Sequence, residues 1–209
     1  MSIRSDALPY VLPGAFAAAV AAALGAWPAA AGFALLATAL GAFFRDPERG
    51  SDAPGDAVLS PADGRVVAVE PDHGGVRIAI FLSVFNVHVT RAPLTGRLLE
   101  WQRIAGAYAM AFRDSAAENA RHRVLLRSGH GTIELSLMAG AVARRIVPFV
   151  APPQDLARGQ RIALIKFGSR AELRLPAGYV AVVSVGDRVR AGASVIATVR
   201  PRSDTPLSS

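Results

Sequence analysis

Leu59-Ser60-Pro61-Ala62-Asp63-Gly64-Arg65-Val66 and, far downstream, Val185-Gly186-Asp187-Arg188-Val189-Arg190-Ala191-Gly192 decide how this chain reads. Each sets Asp and Gly beside a short apolar-polar run, the composition of a tight turn between strands: glycine adopts backbone conformations closed to other residues, and Asp bonds its own backbone. Around and between them lie short β-type runs at 58–59, 64–69, 76–82, 84–89, 124–126, 132–138, 161–167, 172–175, 179–185 and 194–199, most separated by Gly, Pro or Asp. A mainly β unit starting near residue 51 is expected, with one helical interruption over 113–121, where Ala and Glu favour helix.

Upstream the character changes. From Ala7 to Phe44 there is no Asp, Glu, Lys, Arg or His, and Arg4 cancels Asp6, so the formal charge of +7 falls on residues 45–209. The stretch is too long for a secretory signal and ends in Phe43-Phe44-Arg45 rather than a cleavage site. Prolines 9, 13 and 28 divide it into segments 14–27 and 29–44, which as helices reach roughly 21 and 24 Å. Each is shorter than the roughly 30 Å hydrocarbon core of a bilayer. Two short helices forming a hairpin that dips into a membrane or barely crosses it are expected, with Ala and Gly allowing close backbone approach. The polar run 45–56 then reads as a connector at the membrane surface. Residues 1–50 are thus expected to be a membrane-associating hairpin and connector, and 51–209 a separate unit.

With 209 residues, 52% apolar and 19% charged, the chain has room for one domain and an appendage, and is neither disordered nor collagen-like. It contains no cysteine, which excludes disulfides, thiolate zinc sites, iron–sulfur clusters and a cysteine nucleophile. His73, His88, His122 and His130 show no ligand spacing with carboxylates, so no metal is expected. Of 23 basic residues only Lys166 is lysine; the surplus points to an anionic partner. An aromatic content of 7% without an aromatic-basic recognition motif argues against nucleic acid.

The two turn motifs resemble the opening and later turns of biotinyl/lipoyl-like barrel-sandwich modules, whose small sheets interlock through tight hairpins. The fold class expected is therefore mainly β, barrel-sandwich-hybrid-like, preceded by an N-terminal apolar helical hairpin. A carrier role would need an exposed lysine at a hairpin tip. Lys166 lies in an apolar run instead, so the resemblance is one of architecture.

Four places carry chemistry, each ordinary by itself. Gly168-Ser169, closing the run Leu164-Ile165-Lys166-Phe167, is a common turn pair. Asp63 before Gly64 is a common turn former. His88, in Phe85-Asn86-Val87-His88-Val89-Thr90-Arg91-Ala92-Pro93, reads as a half-buried strand side chain. Glu118-Asn119-Ala120-Arg121 reads as a solvated helix face. In this order, and preceded by Phe43-Phe44-Arg45-Asp46-Pro47-Glu48-Arg49, they resemble the phosphatidylserine decarboxylases, in the short prokaryotic form often called archaeal-type, from about residue 43 to residue 200.

That resemblance implies a proenzyme of phospholipid biosynthesis that cuts itself between Gly168 and Ser169. The products are a β chain of residues 1–168 and an α chain of 169–209 that stay associated, with Ser169 becoming a covalent pyruvoyl group and no external cofactor. The pyruvoyl carbonyl forms a Schiff base with phosphatidylserine and acts as the electron sink as carbon dioxide leaves, giving phosphatidylethanolamine. A serine hydroxyl needs a base. His88 is expected as that base and as proton donor, with Asp63 orienting its ring. Arg91, Asn119, Arg121 and Arg170 are expected to recognise the carboxylate and phosphodiester of the substrate. The long bacterial members carry His-x-x-His before the Pro, whereas here Arg91 stands three residues after His88; this leaves open whether His88 serves maturation, later protonation or both. The implied setting is the cell membrane, with the protein peripheral or hairpin-anchored and the catalytic part on the cytoplasmic side; a homodimer is left open. Two rival classes fit part of the chain. A pyruvoyl-dependent decarboxylase of another amino-containing substrate would share Gly168-Ser169 but have little use for residues 7–44, and a nonenzymatic membrane-tethered biotinyl/lipoyl-like module would keep its backbone whole.

Overall fold

A computed structural model describes residues 2–3, 7–106, 120–139, 145–165 and 169–200. Most of the helix expected over 113–121, together with Asn119, Lys166 and Gly168, lies outside these. Arg121, expected at the end of that helix, instead opens a strand, Arg121–Ser128.

Two helices, Leu8–Ala23 and Trp27–Phe43, form the N-terminal hairpin. The break falls at Leu24-Gly25-Ala26, where Gly25 takes a φ of 74°, and not at Pro28. Pro28 sits in the first turn of the second helix, where its missing N–H has no intrahelical partner to lose. Pro13 is accommodated inside the first helix; the carbonyl deprived of a donor belongs to Pro9, in an exposed first turn where water can serve it. The two helices touch through small residues: a Cβ added at Gly14 would lie 3.2 Å from that of Ala37. Among the described residues no helix is long and apolar enough to cross a membrane.

The rest is β structure. An eight-stranded sheet runs in the order Gln154–Leu156, Gly96–Ile104, Arg121–Ser128, Gly131–Ala139, Ser169–Leu175, Gly75–Leu82, Gly64–Asp72, Arg188–Val189. Two three-stranded sheets accompany it, Ile146–Pro148 with Arg161–Ile165 and Val89–Arg91, and Tyr179–Ala181 with Val195–Val199 and Val58–Leu59. Alternation places Val66, Ile78, Ile80, Leu137 and Leu173 in one core beside Ile133, Ile162, Ile165 and Ile196, all with essentially no exposure. Ser169–Leu175 lies in the interior of the large sheet: it pairs antiparallel with Gly75–Leu82 on one side and Gly131–Ala139 on the other. Ser169, expected to end a β run, therefore begins one.

The run 45–56, expected as a surface connector, is exposed at Glu48, Gly50, Asp52 and 54–56 but is anchored to the β structure at its start. Phe43 and Phe44 are buried in a small apolar cluster with Val87, Val89 and Leu164. Asp46, also buried, pairs with Arg161 at 2.6 Å and with the buried Arg91 at 3.2 Å. Asp46→Ala is expected to destabilise the fold by about 3–5 kcal/mol, because it leaves the Arg91 guanidinium in the interior without its counter-charge. Urea denaturation checks this; a midpoint equal to that of the parent protein would show the pair to be energetically idle.

Candidate active site

Ser83-Val84-Phe85-Asn86 is a tight turn leading to His88. The Asn86 side-chain oxygen accepts from the Ser83 N–H at 2.9 Å and from its hydroxyl at 2.8 Å, while the Asn86 N–H donates to the Ser83 carbonyl at 3.0 Å. The Asn86 carbonyl faces the other way and accepts from His88 Nδ1 at 2.9 Å. A carbonyl only accepts, so Nδ1 carries the proton and Nε2 the lone pair. His88 is fully buried, and among the described residues Nε2 has no hydrogen-bond partner. The Phe43 ring covers the imidazole with centroids 4.3 Å apart. Burial is the main influence on its titration and pulls its pKa down to about 4; the Asn86 carbonyl and the charge of Asp63 oppose the shift, and that of Arg45 adds to it. At neutral pH this is an uncharged imidazole with an unoccupied basic nitrogen.

Ser169 reaches the same region by a second route. Its register partners are Leu82, the residue before the turn, and Ala139. On the neighbouring sheet the Ile165 N–H donates to the His88 carbonyl at 3.0 Å, and Ile165 is only four residues before Ser169, which caps the backbone separation of Ile165 and Ser169 at about 14 Å. Ser169 is fully buried, and among the described residues its hydroxyl has no hydrogen-bond partner. Leaving such a group unpaired costs on the order of 1–3 kcal/mol. Ser169 thus sits across from Leu82, whose chain runs on through the 83–86 turn to His88, and among the described residues each of the two presents a buried polar atom without a hydrogen bond.

Asp63 is occupied differently from the expectation. Both its oxygens are gripped by the Arg49 guanidinium, and Oδ1 also accepts the Ala191 N–H at 2.8 Å. It makes no hydrogen bond to His88 and reaches it only as a nearby charge. Gly64, next in chain, is obligatory: a Cβ there would lie 2.0 Å from the Phe81 carbonyl oxygen.

The arginines expected at the head group are similarly engaged. Besides Asp46, Arg91 donates to the carbonyls of Gly159 at 3.0 Å and Pro47 at 3.0 Å, so it fastens the 45–49 segment. Arg170 pairs with buried Glu172 at 2.8 Å, and Glu172 also holds Arg77 at 3.0 Å. Arg121 lines a cavity of about 250 Å³ with Glu134, Ser136 and Glu172. A larger cavity, of about 920 Å³, opens beside Asp63, Ser83 and Asn86, and its arginines are Arg65, Arg188 and Arg190. Sequence reading passed over these three, although Arg188-Val189-Arg190 around a buried Val189 is a readable outward-facing alternation. It also missed Phe43 and Arg49 as neighbours of His88 and Asp63, contacts over separations that leave no local signal, and Asn86, whose partner His88 is only two residues on.

Comparison with known proteins adds an independent line. A family model described as phosphatidylserine decarboxylase matches residues 36–197. A phosphatidylserine decarboxylase proenzyme of Burkholderia mallei (strain SAVP1) is 39% identical over 203 residues, covering 93% of this chain and 94% of the relative. Proenzymes of the same name from Burkholderia vietnamiensis (strain G4 / LMG 22486) and Burkholderia multivorans (strain ATCC 17616 / 249) are each 39% identical over 207 residues, covering 93% of this chain and 95% of theirs.

Proposed function

This chain belongs to the phosphatidylserine decarboxylase family, and from that premise we propose that it converts phosphatidylserine to phosphatidylethanolamine and carbon dioxide, using a pyruvoyl group made from its own Ser169. The observation that supports the assignment is the Ser169 hydroxyl, buried at the head of an interior strand and without a hydrogen bond among the described residues, opposite Leu82, from which the chain leads in six residues to His88. An ordinary structural serine in such a place would find a hydrogen bond.

Maturation follows from these atoms. His88 Nε2 takes the Ser169 hydroxyl proton as Oγ attacks the Gly168 carbonyl, and the peptide becomes an ester when the Ser169 nitrogen departs as the amine. In the β-elimination that follows a base takes the Ser169 α-proton, its electron pair forms the Cα–Cβ double bond and the Cβ–Oγ bond breaks, releasing Gly168 as a carboxylate and leaving an enamine at residue 169. Water hydrolyses that enamine, and ammonia leaves. The chain is thereby divided into residues 1–168 and 169–209. Once in place, the pyruvoyl carbonyl supplies an electrophile for the substrate amine and an electron sink for the departing carboxylate. His88, after taking up a proton at Nε2, is our candidate to hand it to the carbon that loses carbon dioxide. Asp63 raises the proton affinity of His88 through space, and Arg49 holds that carboxylate in place through both of its oxygens. The hairpin within residues 1–50 holds the enzyme at the membrane, with the β unit of 51–209 on the cytoplasmic side.

Purified protein is expected to yield two masses that part before residue 169, the downstream piece lacking a free amine, and to release carbon dioxide from phosphatidylserine. Reduction with cyanoborohydride in the presence of substrate should abolish the activity. A fully active preparation with an unbroken backbone would overturn the proposal.

A further inference from the structure

The cavity beside the candidate site has a peculiarity that the proposed chemistry does not use. Arg65 and Arg188 stand directly opposite each other across an antiparallel pair. Like charges in that relation repel, and neither side chain, nor that of Arg190 two residues on, has an acidic partner among the described residues. The acid that lines the same cavity, Asp63, is already neutralised by Arg49. Three exposed, uncompensated guanidiniums therefore converge on one opening.

At the rim of that opening stands the turn 83–86, both of whose ends, Ser83 and Asn86, line the cavity. Its two corner residues point into solvent, Val84 at 50% and Phe85 at 82% exposure. The Asn86 and Ser83 hydrogen bonds hold the turn in shape, and Arg45 at the end of the hairpin donates to the Phe85 carbonyl. The aromatic tip is thus tied directly to the apolar hairpin, whose Phe16, Leu24, Trp27 and Leu35 are also exposed. An aromatic ring beside a cationic cluster, continuous with an apolar helical surface, matches the layered chemistry of a bilayer interface: acyl chains, an interfacial aromatic zone and anionic phosphates.

We propose that Arg65, Arg188 and Arg190, with Val84 and Phe85 on the adjoining turn, form a docking surface for an anionic phospholipid bilayer, the guanidiniums taking headgroup phosphates while Phe85 enters the interface. The proposal rests on the lipid-substrate reading above and adds to it the face that meets the membrane. It also gives the turn a double duty, since the same four residues supply the carbonyl that orients His88.

The chain has no cysteine, so single labelling sites can be introduced cleanly in the full-length protein. Phe85→Cys carries an environment-sensitive fluorophore. Gly129→Cys, in the turn at the opposite end of the large sheet where an added side chain meets open space, is the control. The probes are vesicles of phosphatidylcholine with and without phosphatidylglycerol, neither of which is the substrate. With phosphatidylglycerol present, emission from position 85 is expected to shift to the blue and to be quenched by brominated acyl chains, while position 129 stays unchanged. Arg65, Arg188 and Arg190 replaced together by Gln should weaken binding to these vesicles on the order of 100-fold, from roughly fivefold per arginine. Sedimentation with the vesicles while position 85 remains unquenched, unaltered affinity in the triple variant, or no binding at all would each overturn the proposal. Decarboxylation of a short-chain phosphatidylserine dissolved below its aggregation threshold needs no bilayer. Its absence would count against the functional reading and leave the docking result standing.

Discussion

Ser169→Ala is expected to give one uncut chain of 209 residues with no decarboxylase activity. The change removes the only atom able to attack the preceding carbonyl, so both maturation and every later turnover go with it. It should do so without harming the fold. The lost hydroxyl is buried and has no hydrogen bond among the described residues, and alanine in its place relieves an unsatisfied polar group at nearly constant volume. The variant should therefore melt at the same temperature as an uncut parent or slightly above it. Mass spectrometry and calorimetry on the same sample separate the two effects: an intact, stable and inactive protein is the expected result. A chain still divided before residue 169 would remove Ser169 from the chemistry.

His88→Ala should slow self-cleavage by roughly 10²–10⁴-fold, the usual worth of a positioned base, measured as the ratio of whole to divided chain over time. The pH dependence is more diagnostic. Because the folded protein holds His88 neutral down to about pH 4, cleavage should be flat from neutrality to about pH 5 and fall below it, whereas a solvated imidazole would fall from about 6.5. Phe43→Ala, which opens the imidazole face to water, should move that midpoint upward toward 6.5. The sign for stability follows the same titration. Between about 6.5 and about 4 the unfolded chain takes up a proton that the folded chain refuses, so stability declines as pH falls through that window, by at most about 1.4 kcal/mol per pH unit. His88→Ala should flatten that slope. A cleavage midpoint near 6.5 in the parent protein would assign the titration to some other group.

How far the sequence could be read depended on whether an element was specified locally. Runs such as 76–82 and 132–138 announce themselves because apolar residues fill them and Gly or Asp ends them. The nine-residue strand Gly96–Ile104 was passed over: only Leu98 is fully buried, so no alternation shows, and pairing with strands on both sides holds it extended. At the site, His88 and Ser169 were legible as a set through the resemblance, but their surroundings were not. Asp63 was assigned to His88 by analogy with hydrolytic triads, whereas a guanidinium fourteen positions upstream claims its carboxylate. Arg91 was read as a headgroup ligand for its charge, yet its burial against Asp46 is a product of tertiary packing that no spacing reveals.

The placement of Ser169–Leu175 has one more consequence. Seven register pairs on one flank and six on the other hold that strand, so a break just before it creates a loose end without creating a loose strand. The downstream piece can depart only by tearing the middle of the sheet, not by peeling a rim. After denaturation the two pieces must find each other by diffusion, with the covalent link that first guided them gone. If the chain is divided as proposed, recovery after complete unfolding is expected to depend on protein concentration, as a meeting of two pieces does, whereas that of the uncut Ser169→Ala chain is not.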